Sequence, residues 1–227
     1  MKRRALMMIK DVLTKKRILI FILLLLFFET IFNILINYMN KTEINMHLNV
    51  QSEQVEYKFN SILNTCDVIS ETIIDQVINK PEILSLFSQA DTNDKVKQNE
   101  VRNELYNTLK DSYEYLKSLN IVQFQFHLPN NVSFLRFHSP EKFGDDLTNY
   151  RYSVVMANSL GKSYKGFEAG KTFNGFRYVF PLAYNGKHIG SVETAFSFDV
   201  IDKGFEKAGI DYSKFILDKN IIKYNVL

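Results

Sequence analysis

Hydrophobic positions along the chain change period repeatedly, and each change marks an element. Ile18 to Phe28 is an unbroken apolar run of 11 residues, and the pattern continues past Glu29 through Ile31, Phe32, Ile34, Leu35 and Ile36 to Met39. Counted to Met39, the segment is long enough to span a bilayer. From Lys41 to Asn79 there is neither Pro nor Gly, and Phe59, Ile62, Cys66, Ile69 and Ile73 recur at spacings of 3, 4, 3 and 4. That is a heptad-like stripe on one long helix, which over 39 residues reaches about 58 Å. A helix that overshoots its domain is placed to transmit movement or to dimerise. Its C-terminal half, widened by Leu63, Ile74, Val77 and Ile78, reads as an ordinary core helix. Pro81 suits a first helical turn and opens a short second helix through Phe87. Val96, Val101, Leu105, Leu109 and Leu116 mark a third, ending near Asn120.

The period then drops to 2. IVQFQFH and VSFLRFH flank Pro129-Asn130-Asn131, and the Asn pair predicts a hairpin with a two-residue turn. That turn sets His127 opposite Phe134 and Gln125 opposite Arg136. Gln123, Gln125, His127, Phe134, Arg136 and His138 share one polar face, suited to a pocket. Val122, Phe124, Phe126, Ser133, Leu135 and Phe137 share the other, suited to a core. His127, beside the turn, is expected to be exposed. Thr148 is placed to cap a short helix through Asn158, with Gly161 as its stop. Tyr164 to Gly170 reads as a third strand. Phe176 to Tyr184 and Lys187 to Phe198 form a second hairpin around Asn185-Gly186, pairing Tyr178 with Glu193, Phe180 with Ser191, and Val179 with Val192. Pro181 points to an edge or a bulge. Asp199 to Ala208 reads as a last helix, and Tyr212 to Leu227 begins a further strand-like run.

The order predicts an α+β fold: a long N-terminal transmembrane and stalk helix, a helical segment, then an antiparallel sheet of about five strands backed by the long helix. The boundaries drawn are a basic flank over 1–17, an anchor over 18–39, stalk and helices over 40–120, a sensor-like sheet domain over 121–210, and the start of an incomplete unit over 211–227. At 227 residues, 46% hydrophobic and 14% aromatic, the chain holds one globular domain with extensions.

Charge sharpens the membrane reading. Residues 1–17 carry seven of the 28 basic residues against Asp11 alone, so the rest holds 21 basic and 24 acidic residues. The basic balance belongs to the N-terminal flank, which argues against a nucleic-acid-binding body and places the flank on the cytoplasmic side of a single span. Glu29 costs about 2.5–3.5 kcal/mol near a bilayer centre, and neighbouring Leu, Ile and Phe side chains offset it at roughly 0.3–0.6 kcal/mol each. A cleaved signal peptide is the alternative, but no small-x-small site follows the apolar run, and a pilin-like leader would need Gly where Leu24 stands. Cys66 is alone, so no internal disulfide and no zinc cluster can form. No phosphate-binding or dinucleotide glycine pattern occurs.

The apolar anchor and long helix, with FHLPNNVSFLRFHSPEKFGDDL, GFEAGKTFNGFRYVFPL and YNGKHIGSVETAFSF, resemble Cache domains. These are PAS-like extracytoplasmic sensors of bacterial chemoreceptors, sensor histidine kinases and diguanylate cyclases. The nearest likeness is to the double-Cache subgroup typified by R-x-H-x-P-x-x-F-G-D-D-L, here Arg136, His138, Pro140, Phe143, Gly144, Asp145, Asp146 and Leu147. The resemblance spans about residues 18–220. It implies a small-molecule pocket between the sheet and its covering loops, with signalling through helices of an inner-membrane receptor. The pattern of amino-acid-binding Cache domains is missing, so an amino-acid ligand does not carry over.

Arg136 leads the candidates, because its guanidinium offers a planar fork for a carboxylate or phosphate. The competing reading is a structural ion pair with Asp145, Asp146 or Glu168. His138 is a candidate hydrogen-bonding pocket residue, Asp146 a ligand contact or turn residue, and Phe134, Tyr152 and Tyr178 candidate walls. Glu168 and Glu193 are expected to pair with Arg136 and Arg177 or to face solvent. The expected partners are a small, anionic ligand, the membrane, and a second copy through the long helix. No cofactor and no catalytic residue is expected. Two other classes stay open: a metal-dependent extracytoplasmic hydrolase using His127, His138 and Asp146, and a receptor fragment acting as a binding or adaptor protein.

Overall fold

A computed structural model describes residues 2–170, 173–210 and 216. The chain divides into two compact units, Met1–Tyr57 and Lys58–Leu227. The expected incomplete unit over 211–227 lies outside the described residues except for residue 216.

Helix α1, Lys2–Ile73, supplies the first unit and enters the second. Within the first, the apolar run projects Leu, Ile and Phe side chains into the open all round, with an 18-residue window of mean hydropathy 2.7 and none of it buried. Among the described residues this is the one helix long and apolar enough to cross a membrane. Its polar residues find partners in the same helix. Thr30 Oγ1 donates to the Phe27 carbonyl at 2.7 Å and Asn33 Nδ2 to the Glu29 carbonyl at 3.0 Å, which lowers their cost in an apolar medium.

In the second unit, the heptad-like stripe is core. Ile62, Cys66 and Ile73 are buried, and Phe59 and Ile69 pack against the same cluster. The stripe is therefore part of the domain's own core. After a π-helical turn over Ile74–Ile78 come α2, Pro81–Ser88, and α3, Lys95–Ser118. Asp94 caps α3 by accepting from Val96 N at 2.9 Å and Lys97 N at 3.2 Å. Val101, Leu105, Leu109, Tyr113 and Leu116 form its buried stripe, whereas Val96 is exposed on the first turn.

The sheet comprises β1, Ile121–His127; β2, Ser133–Arg136; β3, Tyr164–Glu168; β4, Gly175–Tyr184; and β5, Lys187–Phe196. Its order is β2-β1-β5-β4-β3 and the strand pairs are antiparallel. Helix α4, Tyr152–Leu160, precedes β3, and α5, Asp199–Glu206, follows β5. The α+β architecture is the expected one. Phe124, Phe126, Phe176, Tyr178, Val192 and Phe196 face α1, α2 and α3, where Phe87 sits 5.0 Å from Phe126 and Phe59 sits 6.0 Å from Phe176 between ring centroids.

Both hairpins depart from the simple two-residue register, each by one residue. The first turn is three residues long: Leu128 N donates to Val132 O at 2.9 Å, Asn131 N donates to Leu128 O at 3.0 Å, and Asn131 takes φ +65°. A bulge at Phe134 then restores the phase, so Gln125 does pair with Arg136, but His127 pairs with Ser133 and not with Phe134. The second turn has the expected positive φ at Asn185 and Gly186. A bulge at Ile189 shifts everything beyond it, so Tyr178 meets Thr194, Val179 meets Glu193, and Phe180 meets Val192. The helix expected from Thr148 starts later, at Tyr152, because Asp146 Oδ1 accepts from Thr148 N at 2.9 Å and Thr148 Oγ1 at 2.6 Å and closes a turn instead. Gly161 ends α4 in the left-handed conformation, as expected.

Candidate functional site

On the face of the sheet away from α1, α4 covers one half: its Val154 and Ala157 pack on Val179. The segment 138–150 covers the other. Backbone bonds hold that segment along the outer edge of β2, with Gly144 N on Ser133 O at 2.8 Å and Ser133 N on Asp145 O at 3.0 Å. Arg102 of α3 pins it from outside, its guanidinium 3.6 Å from the Phe143 ring and 4.9 Å from the Phe134 ring. Between these covers lies a cavity of about 700 Å³.

The more buried side of the cavity is formed by half-buried Gln123 with buried Gln125, Arg151 and Arg177, and the more open side by half-buried Arg136 and His138 with exposed Lys142, Phe143, Asp145 and Asp146. Under the buried side runs an ion network. Glu193, wholly buried, accepts from Arg177 Nη1 at 2.6 Å, from Gln125 Nε2 at 3.1 Å and from Arg151 Nη2. Glu168 accepts from Arg151 Nε at 2.9 Å, Ser153 Oγ at 2.7 Å and Ser153 N at 3.1 Å, and lies 3.7 Å from Arg177 Nε. Two guanidinium groups and two carboxylates therefore cancel in a low-dielectric layer. Burial opposes the Glu193 charge, but Arg151 and Arg177 outweigh it and hold the carboxyl well below its usual range. Burial likewise opposes the charge of Arg151, and Glu193 with Glu168 reverses that, raising it.

His127 and His138 are both held in the neutral form at neutral pH. Burial pushes His127 down to about 3, with Glu193 pulling the other way, and pushes His138 down to about 4, helped by the charge of Arg136. His127 Nδ1 sits 3.1 Å from Ser191 Oγ, and the ring is completely buried, which corrects the exposed placement expected beside the turn. His138 borders the cavity with Nδ1 buried and without a hydrogen-bond partner.

Of the predicted site residues, the structure brings Arg136, His138 and Asp146 to the cavity. Phe134 is turned to the other side by the bulge and packs 5.6 Å from Phe87. Tyr178 also lies on the α1 side, where its Oη donates to the Leu63 carbonyl at 3.1 Å. Tyr152 is exposed and meets Tyr164 edge-to-face at 5.7 Å, away from the cavity. Glu168 stands behind the wall, paired with Arg151 and Arg177, not Arg136. Arg136 makes a bidentate pair with Asp145, at 2.8 and 2.7 Å. Sequence reasoning missed Arg151, Arg177 and Glu193 as parts of the site. Their signal was present as charges within or beside buried elements, which must pair. His127, His138 and Asp146 do not form a metal centre: among the described residues, no three His, Cys, Asp or Glu side chains converge.

The family dCache_3, described as a double sensory domain of two-component sensor kinase, matches residues 48–222. The chain belongs to this double-Cache family. No curated protein sequence matches it. Among solved structures, it is similar to the sensory domain of the Campylobacter jejuni chemoreceptor Tlp3 with isoleucine bound, at 14% identity and TM-score 0.48, over 68% of this chain and 60% of that one. It is also similar to the sensor domain of the V. cholerae histidine kinase DctB, at 15% and 0.41, over 67% and 61%. The E. coli DcuS sensor domain aligns at 12% and 0.43, over 66% of this chain and 98% of that one. The double-Cache chain thus spans about three fifths of the length of the first two sensor domains.

Proposed function

We propose that this double-Cache domain is the extracytoplasmic sensor module of a membrane-anchored receptor, and that its cavity binds a small anionic metabolite with Arg136 as the accessible anchor. The observation that carries the reading is the charge balance of the buried side. Glu193 and Glu168 already neutralise Arg151 and Arg177, so a ligand meets donors, including Arg136 and neutral His138, without an uncompensated buried charge to satisfy. Gln123 adds to them, because its Oε1 accepts from Arg177 Nη1 at 2.7 Å and leaves its amide nitrogen for a ligand. A cavity of about 700 Å³ suits a metabolite.

Transmission follows from β5. Glu193 faces the cavity network while its neighbour Thr194 faces α1, where its Oγ1 donates to Ser70 Oγ at 2.8 Å. A shift of the Arg177–Glu193 pair is thus one residue from a buried contact on the long helix, which ligand binding biases by its differential affinity for the two arrangements. In this reading the apolar segment of α1 is the single span, and any self-association uses surfaces of α1 other than the buried stripe.

The test is a thermal-shift screen of the detergent-solubilised chain against small carboxylates, with Arg136→Ala alongside. Stabilisation by at least one carboxylate that Arg136→Ala removes supports the reading; a hit that survives the substitution refutes the anchor. Metal analysis of the same preparation addresses the hydrolase alternative.

A further inference from the structure

We propose that Asp145 is a built-in competitor for the ligand's carboxylate, occupying the Arg136 fork until a ligand displaces it. The inference rests on the reading of the cavity as a carboxylate site and adds the residue that sets its affinity threshold. The Arg136 side chain is 15% exposed and presents both Nη atoms to Asp145, whose own side chain is 54% exposed. A carboxylate thus already sits in the fork-to-fork arrangement that a carboxylate ligand would adopt.

Two features make this pair exchangeable. Arg136 Nη1 also donates to the Lys142 carbonyl at 2.8 Å, so the fork keeps its aim when Asp145 leaves. The backbone of Asp145 is tied down: its carbonyl accepts from Ser133 N at 3.0 Å, and the next residue, Asp146, bridges Val132. Exchange therefore moves the Asp145 side chain out of the fork while the backbone ties of the loop stay closed. The adjacent Asp146 is unsuited to the role because its Oδ1 is committed to Thr148.

Energetics favour the exchange. A pair with one partner half in solvent contributes little, whereas a ligand that also reaches Gln123 and the buried Arg151 gains contacts Asp145 cannot make. The rival role for Asp145 is direct contact with a cationic group of the ligand. That role predicts no gain for ligands that carry only carboxylates, whereas competition predicts tighter binding of them.

The experiment is calorimetric titration of the detergent-solubilised full chain with acetate, pyruvate and succinate, and with acetamide as an uncharged control. Wild type, Asp145→Asn, Asp145→Ser and Asp145→Asn/Arg136→Ala are compared. Removing the competitor is expected to tighten carboxylate binding about two- to five-fold in both single variants, to leave acetamide unchanged, and to lose the gain in the double variant. Unchanged or weaker carboxylate binding in both single variants overturns the inference while leaving the carboxylate reading intact. Absence of binding in wild type and both single variants overturns both. Binding that appears only in the single variants supports both.

Discussion

His127 makes the stability of the domain depend on pH in a direction over which burial and attraction to Glu193 are opposed. The ring is wholly buried, Nδ1 lies 3.1 Å from Ser191 Oγ, and Nε2 lies 3.8 Å from Glu193 without a hydrogen bond. If attraction to Glu193 prevailed, the folded-state pKa would rise and acid would stabilise the fold. Burial prevails and lowers it to about 3. The unfolded chain, with a histidine pKa of about 6.5, then binds a proton that the folded chain refuses. His127 therefore contributes stability that is present above about pH 6.5 and lost as pH falls toward 3. At about pH 5 the loss is on the order of 2 kcal/mol, or roughly 4–8 °C in Tm for a domain of this size. His138, lowered to about 4, titrates in the same window, so the wild-type slope contains both residues. The assay is calorimetric melting of the solubilised chain between about pH 7.5 and 5, for wild type and His127→Asn, whose amide can still reach Ser191. The variant is expected to melt lower at neutral pH yet to lose several degrees less on acidification. An acid slope indistinguishable from wild type would refute the assignment.

Three further outcomes follow from the packing. Glu193→Gln leaves Arg151 and Arg177 together in a buried layer without their shared carboxylate, so urea unfolding at neutral pH should show a loss of about 3–5 kcal/mol. Gly190→Ala, at φ +128°, would bring a Cβ within 2.2 Å of the His127 carbonyl oxygen; its Tm should fall well below that of Gly186→Ala, where φ is +75° and the space is open, a strain of about 1–2 kcal/mol. Arg102→Ala removes the stack on Phe143 and the bond from Nε to the Phe134 carbonyl at 2.7 Å. Limited tryptic digestion should then cut after Lys142 roughly ten-fold faster, as expected for about 1.4 kcal/mol of lost local stability.

Where a local residue dictates geometry, the chain is legible. Pro81 opens α2, Gly161 closes α4, Asn185-Gly186 turns the second hairpin, and the stripe from Phe59 to Ile73 marks the face of α1 that the sheet covers. Arg136 and His138 were legible as cavity residues for the same reason, since the pairing of Gln125 with Arg136 survives. Phe134 and the strand partner of Tyr178 were misassigned through parity, because an extra residue in a strand moves the side chains beyond it to the opposite face, whereas the ion pair of Arg177 with Glu193 is one of the two outcomes expected for that glutamate.

The two bulges are separated in the sheet by β1 alone. The bulges at Phe134 and Ile189 lie in β2 and β5, which flank β1 near its end, where His127 pairs with Ser133 on one side and Ser191 on the other. There the His127 carbonyl presses toward Gly190, close enough that only a residue without a Cβ and with positive φ can pass. A glycine inside an otherwise β-branched and aromatic strand is itself a bulge signal. Reading Gly190 that way would have moved Glu193 onto the face of Gln125 and Arg177 and exposed the buried ion network. That face is where the charges had to be, because Glu193 on the α1 side would have met Ile62, Cys66 and Phe176 with no cation to pair with.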